Sequence, residues 1–159
     1  MNNNELVTKK LIESHQTISF MESCTSGLLA SMFTDTEGAS AVFKGSEVTY
    51  CNEAKISAGV ESNILDKYGV YSAECAEAMA KAIQNKYHTD IAIGITGSTG
   101  NIDPNNTDSI KGEAFFCIRQ GDTSYPYHIK MNVINMNRKD IKQAYADEVY
   151  KSLYELLQK

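Results

Sequence analysis

Hydrophobic and polar positions along this chain change period several times, and each change predicts an element. Leu6, Val7, Leu11 and Ile12 recur at helical spacing within residues 4–14, predicting a first amphipathic helix. Thr17-Ile18-Ser19-Phe20-Met21 then alternates polar and apolar, the period of a short strand. Leu28, Leu29, Met32 and Phe33 return to one helical face, and Thr34-Asp35-Thr36-Glu37-Gly38 supplies turn chemistry. After a short apolar piece, Ala39 to Phe43, Gly45-Ser46 punctuates the chain. Glu47-Val48-Thr49-Tyr50-Cys51 is alternating and β-rich, which predicts a second strand, with Asn52 as the cap of a following helix.

A short helix around residues 63–68 is expected to end at Gly69, and Ser72 to cap a longer one. In that longer helix Ala76, Met79, Ala80, Ile83 and Tyr87 form a core-facing stripe. Ile91-Ala92-Ile93-Gly94-Ile95 is apolar throughout, as in a strand buried on both faces, and leads into a polar loop reaching Lys111. Ala114–Arg119 and Ser124–Val133 flank Gln120-Gly121-Asp122-Thr123, an antiparallel hairpin with Pro126 directing its second strand to an edge or a bulge. A last helix, about 138–157, carries Ile141, Tyr145, Val149, Ser152 and Leu156 on one side. The expected architecture is α/β: a three-layer α/β/α domain spanning residues 1–159, with a mixed, mostly parallel sheet and a late antiparallel hairpin.

Composition narrows the function classes. A net charge of −5 gives no global attraction to nucleic acid or to an anionic membrane, so a phosphate-bearing ligand needs a local positive site. No apolar run approaches the roughly 18 residues of a spanning helix, and the N-terminal residues are polar. Cys24, Cys51, Cys75 and Cys117 are far apart, and His15, His88 and His128 are scattered. This spacing suits reduced thiols in a cytoplasmic protein without a structural metal or other cofactor.

Candidate chemistry collects at three predicted strand ends. Ser23-Cys24-Thr25-Ser26-Gly27 joins the first strand to a helix; such a turn offers both a nucleophile and the free N–H groups of a helix N-terminus. By itself it is more often a plain cap by Thr25 or Ser26. Tyr50 and Lys55 flank the end of the second strand, and Thr96-Gly97-Ser98-Thr99-Gly100 follows the third. Taken singly, Lys55 reads as a surface lysine, Tyr50 as a half-buried strand residue and Cys24 as a small buried side chain. Their coincidence at the strand ends, where open α/β sheets bind ligands, favours a site.

Several linked segments carry a resemblance. Glu22-Ser23-Cys24-Thr25-Ser26-Gly27-Leu28, Gly38-Ala39-Ser40-Ala41-Val42-Phe43, Val48-Thr49-Tyr50 with Asn52-Glu53-Ala54-Lys55, Gly69-Val70-Tyr71-Ser72 and Thr96-Gly97 stand in the order of the CinA C-terminal domain family. The chain resembles that family over roughly residues 5–157, and similar members are nicotinamide mononucleotide amidases. The resemblance implies a Ser/Lys amidohydrolase that converts nicotinamide mononucleotide to nicotinate mononucleotide and ammonia. It makes Ser23 the nucleophile, Lys55 its base and Tyr50 an assisting hydroxyl. Thr25, Ser26, Gly27, Thr96 and Gly97 become substrate-binding positions, and Arg138 and Lys142 the basic residues of the last helix.

The chain also departs from the family pattern. Ser26 replaces a glycine, and the segment from Ser98 through Asn101 to Gly112 differs from the usual glycine-rich loop. Expected partners are a small-molecule nucleotide, with no nucleic acid and no membrane; self-association as a homo-oligomer is left open. The alternatives are a degenerate relative that binds a nucleotide or protein without turnover, and an unrelated phosphate-binding regulatory domain. Wide separation of Ser23, Tyr50 and Lys55 would favour the last.

Overall fold

In a computed structural model of the chain, which describes residues 1–100 and 103–159, five strands form one sheet between two helical layers. Asn101, at the start of the altered loop, therefore lies outside the described residues. Helix α1 (Asn3–Ser14) precedes the inner strand β1 (Ile18–Glu22). Then come α2 (Leu28–Thr34), a 3-10 turn (Ala39–Ala41) and β2 (Phe43–Val48). Helices α3 (Asn52–Ser57), α4 (Ser62–Tyr68) and α5 (Ala73–Tyr87) lead to β3 (Ile91–Gly97). The hairpin β4 (Glu113–Gln120) and β5 (Thr123–Lys130) is followed by α6 (Arg138–Leu157).

The strand order is β2-β1-β3-β4-β5. β1 pairs in parallel with both β2 and β3, whereas β3/β4 and β4/β5 are antiparallel, so β4 alone runs against the others. The mixed three-layer α/β architecture is the one predicted. Pro126 sits on the edge strand β5, where its missing N–H costs no ladder bond, and Gly121 takes φ 58° in the two-residue hairpin loop. Among the described residues no helix is long and apolar enough to cross a membrane.

Alternation along the two central strands sets the layers. Ile18 and Phe20 of β1, with Ile91, Ile93 and Ile95 of β3, join Leu29, Phe33, Tyr145 and Tyr150 in one core. Met21 and Ala92 face the other way, against Met79 and Ile83 of α5. The apolar run of β3 is thus large on one face and small on the other. A methyl on Gly94 would lie 2.4 Å from the Ala76 carbonyl oxygen and 2.6 Å from the Ala80 nitrogen, so α5 rests directly on the backbone of β3.

Four local expectations change. β2 starts at Phe43, runs through Gly45 and stops at Val48, leaving Thr49, Tyr50 and Cys51 in a loop. Gly45 belongs inside the strand because the Tyr87 ring covers it; a Cβ there would lie 2.6 Å from Cζ. Thr96 and Gly97, expected in a loop, end β3, where Gly97 pairs with Ala114. Asn52 is the first residue of α3 and its side chain makes no cap; it is drawn instead to Asn106. The hairpin's second strand ends at Lys130, three residues before the expected Val133, with the Met131 N–H still donating to the Gly112 carbonyl at 3.0 Å.

The close approach of α5 generates a prediction. Gly94→Ala should cost about 1–3 kcal/mol or more by overpacking, because the nearest atoms are backbone and cannot rotate away. A denaturation midpoint close to that of the unmodified chain would contradict this packing.

Candidate active site

The ends of the three parallel strands meet through their backbones. The Ser23 N–H donates to the Ile95 carbonyl at 3.2 Å, and the Thr49 N–H donates to the Glu22 carbonyl at 2.8 Å. Residues just past β1, β2 and β3 are therefore brought side by side. The cleft between them, about 300 Å³, is lined by Ser23, Tyr50, Asn52, Ser98, Asp103 and Arg138 among others.

Lys55 reaches this point from the first turns of α3. Its Nζ donates to Ser23 Oγ at 3.2 Å and to the Thr49 carbonyl at 2.7 Å, and the residue is 2% exposed. It makes no ion pair among the described residues. Burial lowers its pKa from the ordinary 10.5, since an ammonium taken from water loses hydration that nothing fully replaces. Negative charge on Cys75 or Cys24 would oppose that shift, and to a smaller extent so do Cys51 and Asp103. The Cys75 and Cys24 thiols are themselves pushed up to about 12, chiefly by burial, so they remain neutral over the working pH range. Cys24 is thus a protonated, buried side chain beside Ser23, not a thiolate.

The turn after Ser23 is held by a residue that sequence patterning did not single out. Glu22 has no exposed surface; its Oε1 accepts from Thr25 Oγ1 at 2.7 Å and from the Leu29 N–H at 2.8 Å. Its Oε2 accepts from the Ala30 N–H at 3.1 Å and from Ser46 Oγ at 3.2 Å. A carboxylate on the first free N–H groups of α2 does the work expected of a Thr25 or Ser26 cap. Neither of those side chains caps the helix; Gly27 occupies the cap position with φ 101°, after Ser26 at φ 47°. In the sequence Glu22 stands between the alternating strand that ends at Met21 and the small residues of the Ser23 turn, with no periodicity to mark it as buried.

The remaining predicted positions separate into three groups. Tyr50 and Arg138 face the cleft together, Arg138 Nη2 donating to the Tyr50 phenol oxygen at 3.1 Å. Tyr50 is exposed, and Lys55 is held by the Thr49 carbonyl instead of by the phenol. Thr96 is buried and its hydroxyl donates to the Val70 carbonyl at 2.8 Å, which ties β3 to the segment before α5. Gly97 lines the cleft, but its lack of a side chain is set by Ala114, whose Cβ would be 2.5 Å from an added methyl. Lys142 faces an adjoining groove with Thr25, Ser26, Gly27 and Lys139, outside the cleft that holds Ser23. Of the turn's N–H donors, Ser26 is committed to the Ser23 carbonyl at 3.1 Å; Thr25 and Gly27 have no backbone acceptor among the described residues.

Ser98 of the expected loop lines the cleft wall, and Asp103 and Asn106 complete it without having been predicted. Tyr145 of α6 donates to the Ser98 carbonyl at 2.6 Å, and Asn106 exchanges amide hydrogen bonds with Asn52 at 3.0 and 3.3 Å. Among the described residues no group of three or more His, Cys, Asp or Glu side chains is placed to hold a metal ion.

Fold and site together define a three-layer α/β protein with a buried serine–lysine couple at the carboxyl ends of its parallel strands. The chain belongs to the CinA C-terminal domain family, whose sequence model matches residues 2–157. It is 33% identical over 155 residues to Protein MG115 of Mycoplasma genitalium, covering 97% of this chain and 96% of that protein. A CinA-like protein of Fervidobacterium nodosum is 40% identical over 97 residues, 60% of this chain and 24% of that longer relative. Among solved structures, the competence damage-inducible protein A of Klebsiella pneumoniae superposes with a TM-score of 0.89 at 21% identity, covering 99% of this chain and 98% of that one. The competence/damage inducible protein CihA of Agrobacterium tumefaciens gives 0.82 at 24% identity, covering 98% and 96%. At these identities the two structures share the fold.

Two predictions follow from the buried charges. Glu22→Ala, which strips four donors of their acceptor, should destabilise the chain by about 3–5 kcal/mol, and Glu22→Gln by less; chemical denaturation of both variants measures the difference. For Lys55 the unfolded state binds the proton more tightly. Stability relative to Lys55→Met should therefore rise with pH between the lowered pKa and 10.5 and be flat below it. Melting curves across that window would reject a buried, destabilised ammonium if the difference did not change with pH.

Proposed function

We propose that this chain is a Ser/Lys amidase that hydrolyses the carboxamide of nicotinamide mononucleotide to nicotinate mononucleotide and ammonia. The observation that carries the reading is the 3.2 Å contact between Ser23 Oγ and a Lys55 Nζ whose pKa burial has lowered. An amide is a poor electrophile, so its cleavage needs an activated nucleophile. A neutral Lys55 amine accepts the Ser23 hydroxyl proton as Oγ attacks the amide carbon. The Thr49 carbonyl keeps the amine oriented through a second hydrogen bond. Backbone N–H groups of the turn at Thr25 and Gly27, which have no backbone acceptor among the described residues, are the donors we assign to the tetrahedral oxyanion. Lys55 then returns the proton to the leaving nitrogen, ammonia departs, and water, deprotonated by the same amine, releases the acid from acyl-Ser23. Arg138 is the cation in the cleft and takes the phosphate; Tyr50, hydrogen-bonded to it, forms the adjoining wall. On this reading the partner is a small-molecule nucleotide and the place of action the cytoplasm.

A nucleotide binder without turnover is the competing reading, favoured by the altered segment between Ser98 and Gly112. Ammonia release from nicotinamide mononucleotide separates the two. Ser23→Ala should lose most turnover, roughly a thousandfold or more as when any member of a catalytic unit is removed, while still binding the nucleotide. Lys55→Arg should fold but stay inactive, because a guanidinium has no neutral form near neutral pH. The unmodified chain should show a rising limb of kcat/KM with pH, with an apparent pKa below 10.5. Near-normal turnover by either variant would overturn the mechanism.

A further inference from the structure

Among the described residues, the cleft beside Ser23 is lined by one carboxylate, Asp103, and one guanidinium, Arg138, and neither forms an ion pair. Asp103 Oδ2 accepts from the Tyr71 hydroxyl at 3.0 Å and from Asn106 Nδ2 at 2.9 Å, and Oδ1 accepts from the Asn105 N–H at 3.0 Å. All three donors are neutral, and no Lys, Arg or His among the described residues forms an ion pair with Asp103. Partial burial works against its ionisation, but these hydrogen bonds outweigh it and hold the carboxyl below its ordinary range. At neutral pH it is an oriented anion with no ion-pair partner among the described residues, its field reaching Lys55 only as the smallest of the influences on that amine. Arg138 is the opposite case, a cation whose hydrogen bond goes to the uncharged Tyr50 phenol.

A pocket with one unpaired charge of each sign is complementary to a ligand that is itself zwitterionic. The rings of Tyr50 and Tyr71 line the same cleft and add aromatic faces suited to a delocalised cation. Resting on the amidase reading of this site, we propose that Asp103 is a specificity-determining residue that reads the positive charge of an N-substituted pyridinium ring while Arg138 holds the phosphate. Carboxamides on neutral rings are then discriminated against by the site. Asp103 also sits one hydrogen bond from the Asn106–Asn52 amide pair, and Asn52 opens the helix that carries Lys55. Ring charge is therefore sensed on the wall that also carries the base.

The test compares nicotinamide mononucleotide with its dihydro form, in which addition of hydride removes the ring charge and keeps the carboxamide, ribose and phosphate. Binding of both is measured calorimetrically to the full chain carrying Ser23→Ala, with and without Asp103→Asn. The oxidised ligand should bind about tenfold more tightly than the reduced one, and Asp103→Asn should abolish most of that preference by weakening the oxidised ligand alone. Asp103→Glu, which keeps the charge, should restore part of it. Equal loss of both ligands in Asp103→Asn would reduce Asp103 to a fastener of the loop and overturn the inference. So would a preference that survives the substitution, or failure of both ligands to bind any variant. Ammonia release by the chain with Ser23 intact tests the amidase reading separately. Discrimination without turnover sinks that reading alone, and equal turnover of both ring forms, unaltered by Asp103→Asn, sinks only this one.

Discussion

A carboxylate with no contact with water closes the carboxyl end of β1. Glu22 spends both oxygens on donors from its own turn, from the first free N–H groups of α2 and from Ser46 of β2. Charge-assisted hydrogen bonds of this kind are roughly twice as strong as neutral ones, and their geometry is demanding. The neighbouring Ser23 is consequently fixed by the strand before it and the anchored turn after it. Ser26 and Gly27 adopt left-handed backbone conformations there, which the clamp at Thr25 and Leu29 helps to hold.

Lys55 supplies the opposite kind of constraint. Its ammonium group is buried with a carbonyl and a hydroxyl for company and no carboxylate, so the folded state favours the amine. Glu22 lies only one residue from Ser23, yet its oxygens are saturated by other donors and none of its hydrogen bonds reaches Nζ. A buried carboxylate and a buried lysine thus stand close to one serine without a hydrogen bond between them. That separation makes a lysine available as a base where a direct ion pair would have kept it protonated.

The rest of the fold serves this junction. α5 lies against Gly94 so closely that β3 carries only small residues on that face. Tyr145 and Tyr150 of α6 reach across the other core, to the Ser98 carbonyl and the Leu29 carbonyl respectively. One helix therefore braces both the cleft wall and the start of α2. The same helix begins with Arg138 at the cleft, so its position is set at three points along its length.

Much of the scaffold was legible because its information is local. The stripe of α5, the unbroken apolar run of β3, the face of α6 and the hairpin around Gly121-Asp122 each report burial through a period of 3.6 or 2. Ser23 and Lys55 were legible as residues at strand ends, and linked motifs placed them in one family. Tertiary structure alone decided which polar groups meet. Lys55 and Ser23 are 32 residues apart in the chain, and Asn52 and Asn106 are 54 apart, distances over which no periodicity carries a signal. β2 begins earlier than its β-rich run because Phe43 and Gly45 pair with Ile18 and Ser19 of β1, with Tyr87, far along the chain, packed on Gly45. Lys142 falls into a neighbouring groove because, four residues beyond Arg138 on α6, its side chain goes to the turn at Ser26 and Gly27 and not to the cleft. Burial of Lys55, the property on which its chemistry depends, exists only once three strand ends and a helix have closed around it; composition records the lysine but not its loss of water.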